Sequence, residues 1–385
     1  MTAVRLWMAC AGLLGVLTGC ASTDPVVPPT PLEPLAESQP AFERIWRAKL
    51  DSQGRFGGSA FIPAQADGVV YSSSADGEIA AFGLEGGTPI WRADLDRPLS
   101  SGISVDNQSL YVATREGSVL SLDREQGRQR WEAPLDREVL RAPLARVGQI
   151  LVSTSSGELY ALDVVDGAER WNFRYQAPDL TVRGAGYATH VPGGYFASLE
   201  DGRLVALDER TGGLIWERFI STPRGRTAVQ RIVDVDAPPV VIGLQVFVGS
   251  RRGDISAVDG RSGEQIWSQS IDSVAGLAGA DSVLVASEND GSLYGFDTSS
   301  GERLWQSDAL RGRRLSPPVW FADRVIVGDF EGYLHAIDPE NGEVTGRVRV
   351  GDDAIRAPVV ATRSGILVQS STGELARFSV VDRAP

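Results

Sequence analysis

Apolar and polar positions along this chain repeat one phrase. "SGELYALDVVDGAERW" (156–171), "DGRLVALDERTGGLIW" (201–216) and "DGSLYGFDTSSGERLW" (290–305) share a polar turn with Gly, an apolar run, Asp-x-x-x-Gly, and a run ending in Trp. Runs such as "LVAL" read as half-buried or fully buried strands. The Asp can bond its own backbone, and the Gly after it supplies the positive φ of a tight return. Ahead of each opening Gly lies another β-rich run, such as "SLYVATRE", "ILVSTSS", "VFVGSRR" or "VIVGDFE", so each copy adds a hairpin. The opening glycines are Gly77, Gly117, Gly157, Gly202, Gly253, Gly291, Gly332 and Gly373, separated by 40, 40, 45, 51, 38, 41 and 41 residues. A period near forty in strand-like repeats predicts an all-β, eight-bladed β-propeller with four-stranded blades over residues 42–385.

The punctuation of the repeat locates the closure. Asp stands at the return turn in six copies (Asp123, Asp163, Asp208, Asp259, Asp297, Asp338), with Gly83 and Ser379 as exceptions. Trp91, Trp131, Trp171, Trp216, Trp267 and Trp305 end the first six copies, whereas the seventh has Gly346 and the eighth stops early. A spare Trp46 precedes the first full copy. The N-terminal strand is therefore expected to complete the last blade and remove an open sheet edge. The Trp rings are expected to wedge between blades.

Residues 1–19 form a separate segment. One charge at Arg5 precedes an apolar run too short for a comfortable membrane span, and the run ends in "LTGC" at Leu17–Cys20. This resembles a bacterial lipoprotein signal, which implies cleavage before Cys20 and acylation of that residue. An ordinary secretory signal with a chance Cys is the alternative. Several acyl chains, at about 0.8 kcal/mol per buried methylene, hold firmly to a bilayer. By the same resemblance, Ala21 rather than Asp after the Cys sends the chain to the outer membrane, lipid-anchored on its periplasmic side. Residues 20–41 carry six Pro between Asp24 and Pro40 and no apolar periodicity, and so read as an extended tether. With Cys10 inside the signal, no Cys is left for a disulfide, and burial and ladder bonding must stabilise the domain.

Charge and chemistry narrow the function. The net charge is −13 over the whole chain, which disfavours nucleic acid and anionic surfaces as partners. Only His190 and His335 are present, in different copies. His335 sits in "YLHAID" where other copies place Tyr, Val or Ala, and reads as repeat filler; His190 beside "PGG" reads as a surface residue. No Cys/His cluster has zinc spacing, no Gly-rich phosphate loop opens a helix, and one carboxylate per turn falls short of a calcium site. No catalytic, cofactor-binding or metal-binding residues are assigned.

Two resemblances sharpen this. The motif "LD-x-x-[ST]-G-x-x-x-W" is similar to the repeats of quinoprotein dehydrogenases, which implies pyrroloquinoline quinone, calcium and adjacent disulfide-bonded cysteines. The mature chain has no cysteine for the last and is shorter than such enzymes. The two long intervals come from insertions after Trp171 and Trp216, "NFRYQAPDLTVRGAGY" and "ERFISTPRGRTAVQRIVDVDAPPV". Both join the outer strand of one blade to the inner strand of the next, on one face of neighbouring blades, and extra length there marks a binding face. Arg183 lies in one, Asp234 and Asp236 in the other, with Leu180 and Val182 alongside. Apolar groups flanked by complementary charge suit a protein-docking patch, and an Arg–Asp bridge between the loops is the plainer alternative. Arg141 in "LRAPL" and Arg356 in "IRAPV" are expected at the channel mouth.

The signal, the tether, the blades without cofactor residues, and "LTVRG" with "DVD" together resemble the lipoprotein subunits of the bacterial outer-membrane β-barrel assembly machinery. The resemblance implies a non-enzymatic scaffold that docks on the periplasmic POTRA domains of the central barrel subunit. It also implies assistance to outer-membrane-protein insertion, with edge pairing of unfolded clients as a weaker extension. Its docking positions fall on Leu180, Val182, Arg183, Asp234 and Asp236; Val182 departs from the Leu expected there. A quinoprotein-type dehydrogenase and a cell-wall-binding propeller are the alternatives.

Overall fold

The hairpins of the repeat assemble as predicted. In the computed structural model, which describes residues 28–35, 42–50, 61–175, 186–221, 237–251, 254–271 and 273–380, the strands form eight four-stranded antiparallel sheets. Blade 4 shows the plan: β14 (Tyr187–Val191), β15 (Gly194–Ser198), β16 (Arg203–Asp208) and β17 (Leu214–Phe219), paired in that order. First strands of neighbouring blades lie side by side around the axis, and fourth strands form the rim.

Exposure explains the sequence pattern. The second and third strands are covered by blades on both sides, so they read as continuous apolar runs and are almost wholly buried. The fourth strand alternates: Trp216 packs inward while Leu214 and Ile215 face solvent. Separate clusters between adjacent blades, such as Phe247, Ile255, Leu277 and Phe296 between blades 5 and 6, make up the core.

Each rim Trp clasps the next blade. Trp91, Trp131, Trp171, Trp216, Trp267 and Trp305 donate Nε1–H to the carbonyls of Arg124, Val164, Glu209, Gly260, Thr298 and Pro339, at 2.7–3.1 Å. Every acceptor follows the turn Asp (Asp123 to Asp338), whose side chain in turn accepts backbone N–H groups of its own loop, as at Asp208 and Asp297. The turn Gly lies under the indole. A Cβ at Gly301 would stand 2.5 Å from Trp267 Cδ2, so this Gly answers to close approach as well as to its φ of 74°.

The ring closes through the N-terminal strand. β1 (Phe42–Lys49) pairs antiparallel with β32 (Glu374–Val380), outside β31 (Gly365–Gln369) and β30 (Val360–Thr362). Trp46 donates to Leu84 O at 2.7 Å, completing the clasp onto blade 1. Two of the three exceptions now have a cause. Blade 8 draws its rim strand from the other end of the chain and so has no return turn for a seventh-blade indole to cover. Gly346 and Ser379 are the result, and Phe42 packing edge-on to Phe378 at 6.4 Å helps fill that seam.

Candidate functional site: the insertion-bearing face and channel mouth

One face carries all the blade-to-blade connections. Among the described residues, the opening Gly of six hairpins accepts a bond from the residue that leaves the rim strand, as with Leu135 N–H to Gly117 O, Tyr175 to Gly157, Ile220 to Gly202 and Val350 to Gly332. These glycines have φ between 78° and 111°, and the connection runs close against them; a Cβ at Gly117 would lie 2.7 Å from Arg137 O.

The two long connections start and end on this face. The first leaves β13 (Glu169–Arg174) and enters β14; the second leaves β17 and enters β18 (Val240–Ile242). Leu180, Val182 and Arg183, and Asp234 and Asp236, lie outside the described residues, as does Cys20. The stems of both insertions are described, and blade 4 holds them together. The Ser198 hydroxyl lies 3.3 Å from Tyr187 O and 3.2 Å from Ala237 O, one carbonyl from each returning stem. Thr189 Oγ1 donates to Pro239 O at 2.7 Å, and Ser221 Oγ to Asp254 Oδ2 at 2.5 Å. Gly186 runs directly over Ser198 O, where a side chain would collide. Tyr175 is partly buried at the first stem, and the loss of water around it pushes its phenol well above the ordinary range, with the charge of Glu200 acting in the same direction.

Between the stems and the axis opens a cavity of about 460 Å³, lined from every blade. Its wall is apolar and proline-rich, including Ile103, Leu144, Leu277, Val319 and Val359. Arg141 stands at this mouth with its guanidinium 3.3 Å above the Tyr187 ring, as its place at an inner-strand start predicts. Arg356 is exposed nearby, outside the cavity lining. Among the described residues no three His, Cys, Asp or Glu side chains group as a metal site.

The two histidines differ from their sequence reading. His190 is partly covered on β14, with Nε2 3.0 Å from Glu209 Oε1. His335 is not repeat filler: it is fully buried, with Nε2 2.9 Å from Asp329 Oδ2. Burial lowers its basicity despite the carboxylate beside it, so a neutral ring donates from Nε2 and accepts Arg347 Nε–H at Nδ1. For Asp329 burial acts upward, but bonds from His335 and the Tyr333 N–H outweigh it and keep the carboxyl below its usual range.

Known proteins share this architecture and, in one group, the sequence. The family model described as outer membrane protein assembly factor BamB matches residues 75–307 and 289–384. The outer membrane protein assembly factor BamB of Pseudomonas aeruginosa is 42% identical over 94% of this chain and 96% of its own length. The chain belongs to the BamB family. The crystal structure of BamB from Moraxella catarrhalis superposes with a TM-score of 0.80 at 23% identity, covering 88% of this chain and 99% of that one. Quinohemoprotein alcohol dehydrogenase from Comamonas testosteroni shares the fold alone, with a TM-score of 0.68 at 14% identity, covering 90% of this chain and 77% of that one. Membership therefore groups the chain with assembly factors rather than with the dehydrogenases it resembles in shape.

Proposed function

We propose that this BamB-family propeller is a non-enzymatic scaffold of the outer-membrane β-barrel assembly machinery. It is anchored through Cys20 on the periplasmic side and docks on the POTRA domains of the central barrel subunit. The supporting observation is the convergence on one face of the two insertions, with their stems joined through Ser198, beside an apolar channel mouth. A rigid base under two long connections suits a surface whose binding energy concentrates in a few central residues. Leu180 and Val182 supply apolar contact, and Arg183 with Asp234 and Asp236 supply charge of both signs.

Titration of the mature chain against purified POTRA domains from the same organism tests this. Arg183→Glu is expected to cost on the order of 2 kcal/mol, roughly thirtyfold in affinity, and Asp234→Lys to weaken binding as well. Ser299→Arg, on a return turn of the opposite face, is expected to bind as wild type. Absence of saturable binding by folded wild-type protein sinks the docking assignment; quinone uptake with calcium and sedimentation with cell wall then become the measurements to make.

A further inference from the structure

Blade 7 departs from its siblings inside the sheet as well as at Gly346 on the rim. At the third position after the opening Gly, where other blades carry Ala80, Leu120, Val205 or Ala376, it carries His335, and a buried chain of bonds runs through it. Arg347 Nε donates to His335 Nδ1 at 3.3 Å, His335 Nε2 to Asp329 at 2.9 Å, and Arg313 Nε to the same Asp329 oxygen at 2.7 Å. The Arg313 and Asp329 side chains are 3% and 0% exposed. Burying so much charge is costly unless each donor finds a partner.

The outward-facing donors find them in the proline-rich segment at 28–35. Arg347 Nη1 donates to Glu33 O at 3.0 Å, and Arg313 Nη1 reaches Thr30 O at 3.4 Å. Thr30 N–H donates to Arg311 O at 2.8 Å, and Leu32 packs on the blade 6–7 cluster with Trp305, Leu310 and Val325. Gly312 leaves the room this requires: a Cβ there would lie 2.5 Å from Pro28 O. The seat is the connection between β25 (Arg303–Ser307) and β26 (Val319–Phe321), on the same face as the insertions; Gly312 N–H bonds Asp290 O in the opening turn of blade 6.

We propose that residues 28–35 are a strap that fixes where the lipid anchor leaves the propeller and so sets which face meets the bilayer. The inference rests on the reading of Cys20 as the acylated residue. A leash free from Cys20 to Phe42 could span about 75 Å; one strapped at Pro28 spans about 28 Å at most. The strapped molecule therefore holds the blade 6–7 sector of the insertion-bearing face toward the membrane surface.

The test uses full-length acylated protein in phosphatidylethanolamine–phosphatidylglycerol vesicles carrying an acceptor lipid. A donor dye is placed at Ala309→Cys, exposed beside the strap, or at Val147→Cys, 96% exposed in a turn of the opposite face. Flotation first reports on the anchor itself: protein that stays with the soluble fraction sinks the Cys20 reading and the membrane half of the inference with it. For floating protein, energy transfer is expected to be several-fold greater from 309 than from 147. Thr30→Pro with Leu32→Asp, which substitutes only strap residues, should bring the two sites together while the propeller stays folded, as far-UV circular dichroism checks, with a lower melting temperature from the lost partners of Arg313 and Arg347. Equal transfer in wild type, or a difference that survives the strap variant, overturns the proposal. Rapid exchange of the Thr30 amide in the anchored wild-type protein overturns it independently.

Discussion

Trp267 joins two kinds of interaction in one side chain. Its ring lies over Gly301 between blades 5 and 6, and its Nε1–H reaches the Thr298 carbonyl at 2.9 Å. Removing only the hydrogen bond, by Trp267→Phe, is expected to cost about 1 kcal/mol in chemical denaturation, and Trp267→Ala about 3–5 kcal/mol. The turn beneath offers a cleaner comparison. Gly301 and Gly243 both have positive φ, 74° and 61°, but a Cβ at Gly243 meets nothing within 4 Å. Gly243→Ala should show only the left-handed cost of about 1–2 kcal/mol, and Gly301→Ala distinctly more, because the indole must move as well. The turn carboxylates respond to acid. Bonds from Ser299 and Ser300 lower the Asp297 pKa from its ordinary 3.8 to about 2. Because the folded value is the lower one, its stabilisation is complete above about pH 4 and fades as pH falls toward 2. The stability gap between wild type and Asp297→Asn should narrow over that window and stay flat above it.

At the level of the element, the strands were legible because their burial is periodic. Second and third strands sit between two blades and spell continuous apolar runs, and rim strands alternate from Ile215 to Trp216 to Glu217. The Asp, Gly and Trp of each return turn could likewise be read, since all three serve contacts close in sequence or one repeat away. His335 could not. Its partners Asp329, Arg313 and Arg347 lie in neighbouring elements, and only the fold shows that they converge. The strap is not legible for a related reason: a proline-rich segment has no period, and its acceptors and donors lie 278 to 314 residues downstream. The insertions were legible as extra length between blades, and the bonds from Ser198 that join their stems were not. His335→Leu should separate the two roles of its network. It breaks a buried bond, at about 1–3 kcal/mol, and also loosens Arg347 from Glu33 O, which amide exchange in residues 28–35 would detect.

The molecule as a whole depends on a single pairing between its ends. Phe42 stands opposite Val380 and Lys49 opposite Glu374, with Trp46 locked onto blade 1. Deleting residues 42–49 should leave β32 as a bare edge, broaden the melting transition and promote association through that edge; size-exclusion chromatography and calorimetry would report both. The same pairing sets a timetable. A chain made or delivered N-terminus first presents β1 at the outset, yet the strand it must join is nearly the last to arrive. Blades 1 to 7 can build up one upon another in the meantime, while the opening strand stays without its partner. Closure is thus a proofreading step on length: a truncated product, however well its blades are formed, lacks β32 and cannot shut the ring.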